Sequence, residues 1–285
     1  MPASLPMPTA SQSRNPPALG LYVFATAAIF LGLLGLVWSD FAVMWQRVGP
    51  DVPHRLALAR MAALIELGAG LGLLWPRTRR PAAGLLTALY AVFVLLWIPP
   101  VVAHPTVYDG WGNVFEELSL VLGGLVLFAG LAPTNSRFRP RTFARLYGIC
   151  PVSFGTDHLI YLAGAATFVP HWIPPGQEFW VIATADFFFL AALAILSGIL
   201  AALAARLLTV MILLFGALVW APKLFAAPHT HFVWSGNAIN FAMAAAAWVV
   251  SDALSASAAS RSRQQPARPT AILRRIDDYR TKTAV

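Results

Sequence analysis

Charge is scarce in this sequence: Asp, Glu, Lys and Arg make up 11% of its 285 residues, where soluble globular chains carry about a quarter. With 58% hydrophobic residues and a mean hydropathy of +0.68, that shortage excludes an ordinary water-soluble domain. Cysteine is nearly missing too. The single Cys150 precludes an intramolecular disulfide and any dithiol redox cycle within the chain. No Gly-rich phosphate loop, nucleophile elbow or metalloprotease helix occurs, which removes the signatures of nucleotide hydrolysis, serine hydrolysis and zinc proteolysis.

What the chain has in quantity is apolar runs. Stretches long enough to cross ~30 Å of hydrocarbon lie near 19 to 38, 57 to 75, 82 to 102, 114 to 132, 146 to 169, 179 to 200, 204 to 222 and 237 to 252. The expected fold is therefore all-α, a polytopic membrane protein with eight transmembrane helices in contact with the lipid bilayer. Residues 1–18 and 253–285 read as tails. Both are Pro-, Ser- or Arg-rich and poor in the apolar surface that folding needs. Within the second tail, the stretch from Thr270 to Arg280 reads as a short helix for an anionic lipid surface or as a solvated segment.

The arginines orient the bundle. Arg14, Arg77, Arg79, Arg80, Arg137, Arg139, Arg141, Arg145 and Arg206 fall on one side with the C-terminal Arg261, Arg263, Arg268, Arg274, Arg275, Arg280 and Lys282. Only Arg47, Arg55, Arg60 and Lys223 fall on the other. The positive-inside rule then places both termini in the cytoplasm. The net charge of +8 is accounted for by topology and does not call for nucleic acid. Arg-rich, Lys-poor usage fits a bacterial plasma membrane.

The chain also repeats itself. Trp97-Ile-Pro99 through Ala103, Pro105, Trp111 and Asn113 returns as Trp220-Ala-Pro222 through Ala226, Pro228, Trp234 and Asn237, with one inserted residue before the Asn. Upstream, Ala82-Ala83 and Leu85-Leu86-Thr87 return as Ala204-Ala205 and Leu207-Leu208-Thr209. A duplicated unit of roughly 120 residues follows, giving two parallel four-helix repeats, 19–132 and 146–252, joined by a basic linker, 133–145.

Ionisable residues inside spans are costly and face inward. Glu66 sits mid-span among Ala62, Ala63, Ala69 and Gly70, small residues that admit a neighbouring helix. It reads equally as a structural interhelical hydrogen bond and as a proton or ligand group. Asp157 and His158 in the fifth span and Asp186 in the sixth are expected near it, as one outward-opening pocket that handles protons. Separate, satisfied polar contacts are the plainer reading. Asn113 and Glu116, with Glu117, gather at the start of the fourth span, matched by Asn237 and Asn240 in the eighth. Carboxylates at a helix N-terminus are favoured by its dipole without any chemistry. Five of the six histidines fall in outer loops, and His229, His231 and His104 are the candidates for a metal site beside a reading as ordinary polar loop residues. The outer tryptophans read as an interfacial belt.

The segment from Ile65 to Leu89, IELGAGLGLLWPRTRRPAAGLLTAL, resembles the DoxX family: a helix Glu, a Gly-rich apolar run, Arg, then Ala-Ala opening the next helix. The Asn113 start of the fourth span is similar too, whereas the second half has Phe188 where the first has Glu66. The resemblance implies two fused DoxX-like four-helix units. Through related thiosulfate-oxidising subunits, it also implies a quinone- or lipid-associated redox component with its cavity between the repeats. A proton-coupled carrier or binder of a small hydrophobic molecule is the competing expectation, and a scaffold for other membrane proteins is the third.

Overall fold

The computed structural model describes residues 18–133 and 136–264, with side chains to Ser260. Its helices are α1 (Leu19–Trp38), α2 (Arg55–Leu74), α3 (Arg79–Ala103), α4 (Tyr108–Gly130), α5 (Pro140–Leu146), α6 (Ile149–Ile160), α7 (Leu162–Ala166), α8 (Gln177–Ser197), α9 (Ala201–Phe215), α10 (Ala221–Ala226) and α11 (His231–Gln264). Seven helical stretches are long and apolar enough to cross a membrane. The segment expected as a fifth span, 146–169, is not one helix. It forms α6 and α7, of 12 and 5 residues, parted at Tyr161, whose hydroxyl accepts the Asp109 N–H at 3.1 Å.

Two helices form the centre. α4 and α11 are the most buried of the seven stretches, and they meet through small residues. A Cβ on Gly123 would lie 2.8 Å from the Ala246 Cβ, and Ala244 to Ala247 are fully buried. Around this pair, α1 packs on α2 and α11, α3 on α2 and α4, α6 on α4 and α8, and α9 on α8 and α11. The first four helices are thus neighbours in chain order, and so are α6, α8, α9 and α11.

The ends of the bundle follow from a few bonds. At one end, the Gly20 N–H donates to Asp252 (2.8 Å), Arg79 to the Tyr22 hydroxyl (3.3 Å) and Arg206 to Ser255 (2.9 Å). At the other, Trp38 stacks on His231 at 4.7 Å. The beginning of α1 and the later part of α11 therefore share an end. Gly148 lies beside Leu196 near the end of α8, Gly155 beside Ala185 at its middle, and Tyr161 beside Asp109 at the opposite end. The broken α6–α7 segment thus runs the length of the bundle.

Matched residues make matched bonds. The Trp111 indole donates to the Pro105 carbonyl (3.1 Å) and Trp234 to Pro228 (2.7 Å). Thr87 and Thr209 bond back to Ala83 and Ala205. Asn113 and Asn237 each donate to the carbonyl four residues earlier.

Two expected boundaries move. α11 runs to Gln264, so the tail expected from 253 begins as helix; Leu254 is buried and Ser255, Ser257 and Ser260 satisfy carbonyls one turn back. The Thr270 to Arg280 segment lies outside the described residues. α4 starts at Tyr108 rather than near 114, because the Asp109 to Asn113 stretch is already helical.

Candidate functional site

Between α1 and α2 the chain does not skirt the bundle as a polar outer loop. It folds in. Residues 39–54 turn through positive φ at Ser39, Met44 and His54, conformations uncommon for non-glycine residues. These turns carry Phe41, Ala42, Trp45 and Gln46 into burial. Anchors hold the loop there: Arg55 pairs with Asp40 at 2.5 Å and donates to the Val48 carbonyl. The Trp97 indole donates to the Trp45 carbonyl at 2.7 Å. The Val43 N–H donates to the Ser235 hydroxyl at 3.1 Å. Trp97 is thus part of the packed interior, 4% exposed, rather than of an interfacial belt.

Beneath the loop lie three carboxyl groups. Gln46 accepts the Ala42 N–H at 3.1 Å and donates from Nε2 to Glu66 at 2.7 Å. The Trp45 indole donates to Glu116. Glu117 is 1% exposed, and among the described residues neither of its oxygens has a hydrogen-bond partner. Glu66 and Glu116 lie within electrostatic range of it, as does Tyr90, itself 1% exposed.

Glu116 and Glu117 are the ninth and tenth residues of α4, about 12 Å along the axis from its start at 1.5 Å per residue. The helix dipole acts within the first turn and does not account for them. A buried carboxylate without donor or countercharge is expensive. In such a place an acid is carried with a proton or with a bound cation.

Among the described residues no hydrogen bond or ion pair joins Glu66, Asp157, His158 and Asp186 directly. Glu66 is held by Gln46. Asp157 lies against Gly112, where an added Cβ would stand 3.2 Å from its Oδ1. His158 pairs its Nδ1 with the Phe154 carbonyl at 2.9 Å and lies between the Phe188 and Phe215 rings. Asp186 is exposed on the outer face of α8.

Asn237 and Asn240 serve the backbone. Where α9 widens into a π segment at Gly216–Trp220, Asn240 donates to the Ile212 carbonyl (3.1 Å) and Asn237 to that of Trp220 (3.0 Å). Asn113, 6% exposed, donates to the Asp109 carbonyl. His104 and His229 are exposed and His231 stacks on Trp38; among the described residues no three His, Cys, Asp or Glu side chains are grouped to hold a metal. An open depression of about 570 Å³ where the end of α7 meets the start of α8, lined by Thr167, Gln177 and Phe179 among others, includes none of Glu66, Glu116, Glu117, Asp157 and Asp186.

Sequence reasoning passed over Trp45, Gln46 and Tyr90. The first two stand in a stretch too polar to read as membrane-embedded, and nothing in their spacing marks a buried loop. No protein-family model, curated protein or solved structure matches the chain, so its own residues carry the functional reading.

Proposed function

We propose that this multi-pass membrane protein binds protons at Glu66, Glu116 and Glu117, and that it couples their uptake and release to the binding or passage of a small hydrophobic molecule. One observation carries the reading: both oxygens of buried Glu117 lack a donor while two further carboxyl groups lie within electrostatic range of it. Like charges held together out of water do not all ionise, and intramembrane acids of this kind mark proton relays and ion pathways.

The chain as a whole is read as two fused DoxX-like units with eight crossings, both termini cytoplasmic, in a bacterial inner membrane. The matched Trp–Pro carbonyl bonds in α4 and α11 support the duplication. The lengthwise run of α6 and α7 supports the eighth crossing.

The test is proton counting. Purified protein in weakly buffered detergent solution is taken through a pH step around neutrality with an indicator dye, beside the variant carrying Glu66→Gln, Glu116→Gln and Glu117→Gln. The variant is expected to take up fewer protons, and equal uptake refutes the reading.

A redox reading has one observation in its favour. The Trp45, Trp220 and Phe232 rings stand 5.8 to 6.0 Å apart, and Trp45 is bonded to Glu116, which is the mixture of flat rings and a proton donor that a quinone headgroup uses. Ultraviolet and mass-spectrometric analysis of co-purified small molecules separates the two readings. Bound quinone favours the redox component, and another hydrophobic ligand favours the carrier.

A further inference from the structure

We infer that protons reach the buried acids along the seam between α4 and α6, with Asp157 as the relay between Asp109 and Glu116. This rests on the acid cluster being the proton site. The direct way in is occupied: Trp45 and Gln46 fill the space over Glu116 and Glu66 and are bonded to them. To one side, however, α4 presents Asp109, Asn113 and Glu116 at intervals of four and three, one face of a helix.

α6 packs against that face and lays Asp157 over Gly112. The glycine matters for its size, since even a methyl group would come within 3.2 Å of the Asp157 Oδ1. Exposure falls inward along the series. Asp109 is exposed, Asp157 and Glu116 are half-buried, and Glu117 and Glu66 are 1% and 2% exposed. Asp109, Gly112 and Glu116 share one face of α4, so Asp157, lying against Gly112, stands between the exposed acid and the first buried one.

From Asp109 to Asp157 the other polar groups of the seam have bonds of their own. The Tyr161 hydroxyl takes the Asp109 N–H and Tyr108 donates to Ser153 at 3.1 Å. His158, next in sequence to Asp157, turns to the Phe154 carbonyl and the aromatic rings of α8 and α9 and is not part of the route. Asn113 is held by its own helix. Asp157 is therefore the titratable side chain that bridges from the exposed Asp109 to the cluster. Each carboxyl passes its proton inward and is reprotonated from the next one out, so the proton count is conserved at every step.

The experiment follows proton uptake in time as well as amount, by stopped-flow pH steps on the full chain in detergent with a soluble dye. Asp157→Asn is expected to slow uptake at least roughly tenfold, as loss of a positioned proton-transfer group does, while the amount at equilibrium falls by no more than the one carboxyl removed. Gly112→Ala, a smaller change that presses on the Asp157 carboxylate, is expected to slow it less, and it serves if the Asn variant fails to fold. His158→Gln is expected to leave the rate unchanged. Unchanged rates in both seam variants overturn the route, as does equal slowing by His158→Gln. Neither result touches the acid cluster itself, whose failure shows instead as undiminished uptake in the triple Glu variant.

Discussion

Glu66 was legible because a lone acid inside an apolar run, flanked by small residues, has few places to go except a helix contact. Its partner was not legible, since Gln46 comes from a loop. The pair makes a sharp comparison. Glu66→Gln keeps an oxygen for the Gln46 donor at similar size. Glu66→Leu leaves that buried donor unpaired, a loss of about 1–3 kcal/mol. Thermal unfolding in detergent is expected to place the Leu variant clearly below the Gln variant, and equal midpoints would show that the Gln46 bond does not hold the site. Trp45→Phe tests the neighbouring acid in the same assay. It keeps an aromatic ring to stack on Phe232, 5.9 Å away, but removes the donor to Glu116, and about 1–2 kcal/mol of stability should go with it.

Among the elements, α4 is the one whose beginning changed a conclusion. Read as starting near 114, it makes Glu116 and Glu117 helix-terminal acids. Starting at Tyr108, it carries them in its third turn, where only burial and neighbours act on them. Polar residues such as Asp109 and Asn113 look like loop when counted alone, yet Asn113 closes a bond to the Asp109 carbonyl within the helix. The π segment after α9 was equally hidden, because it is a property of the carbonyls that Asn237 and Asn240 satisfy from another helix. The contact of α4 with α11 yields the element-scale prediction. Gly123→Leu forces a side chain into a spacing where even a Cβ would stand 2.8 Å from Ala246. Overpacking of this sort costs about 1–3 kcal/mol, so the unfolding midpoint is expected to fall. Gly164→Ala, with open space around it, is expected to leave the midpoint unchanged or raise it. Equal behaviour of the two would mean that α4 and α11 are not in close contact.

For the whole molecule, the arginine distribution and the bonds at the bundle ends point the same way. Gly20 and Asp252 are joined at the end that also holds Arg79 and Arg206. Both ends of the described chain therefore lie at one end of the bundle, which is the arrangement that the proposed eighth crossing through α6 and α7 requires. Reporter fusions are expected to find both termini and the Arg137 to Arg145 stretch in the cytoplasm and the segment Pro170 to Gln177 outside. A fusion at Arg139 reporting from the outer side would overturn the orientation and the outward sense of the Asp109 route with it.

The sequence by itself determined the apolar surroundings, the helical class, the positions of seven apolar spans though not all their ends, and the burial of Glu66, because each depends on local composition and period. Hydrocarbon demands apolar length, and a helix satisfies its own backbone. Only the tertiary structure decided that residues 39–54 enter the bundle, that Trp45 and Gln46 meet Glu116 and Glu66, that Glu117 is left without a donor, and that Asp157 lies against Gly112 while Asp186 faces outward. Those outcomes join residues up to 192 positions apart, as in Val43 and Ser235. They depend on which face of each helix its neighbours cover, a quantity fixed by packing across the bundle and written in no single stretch of the chain.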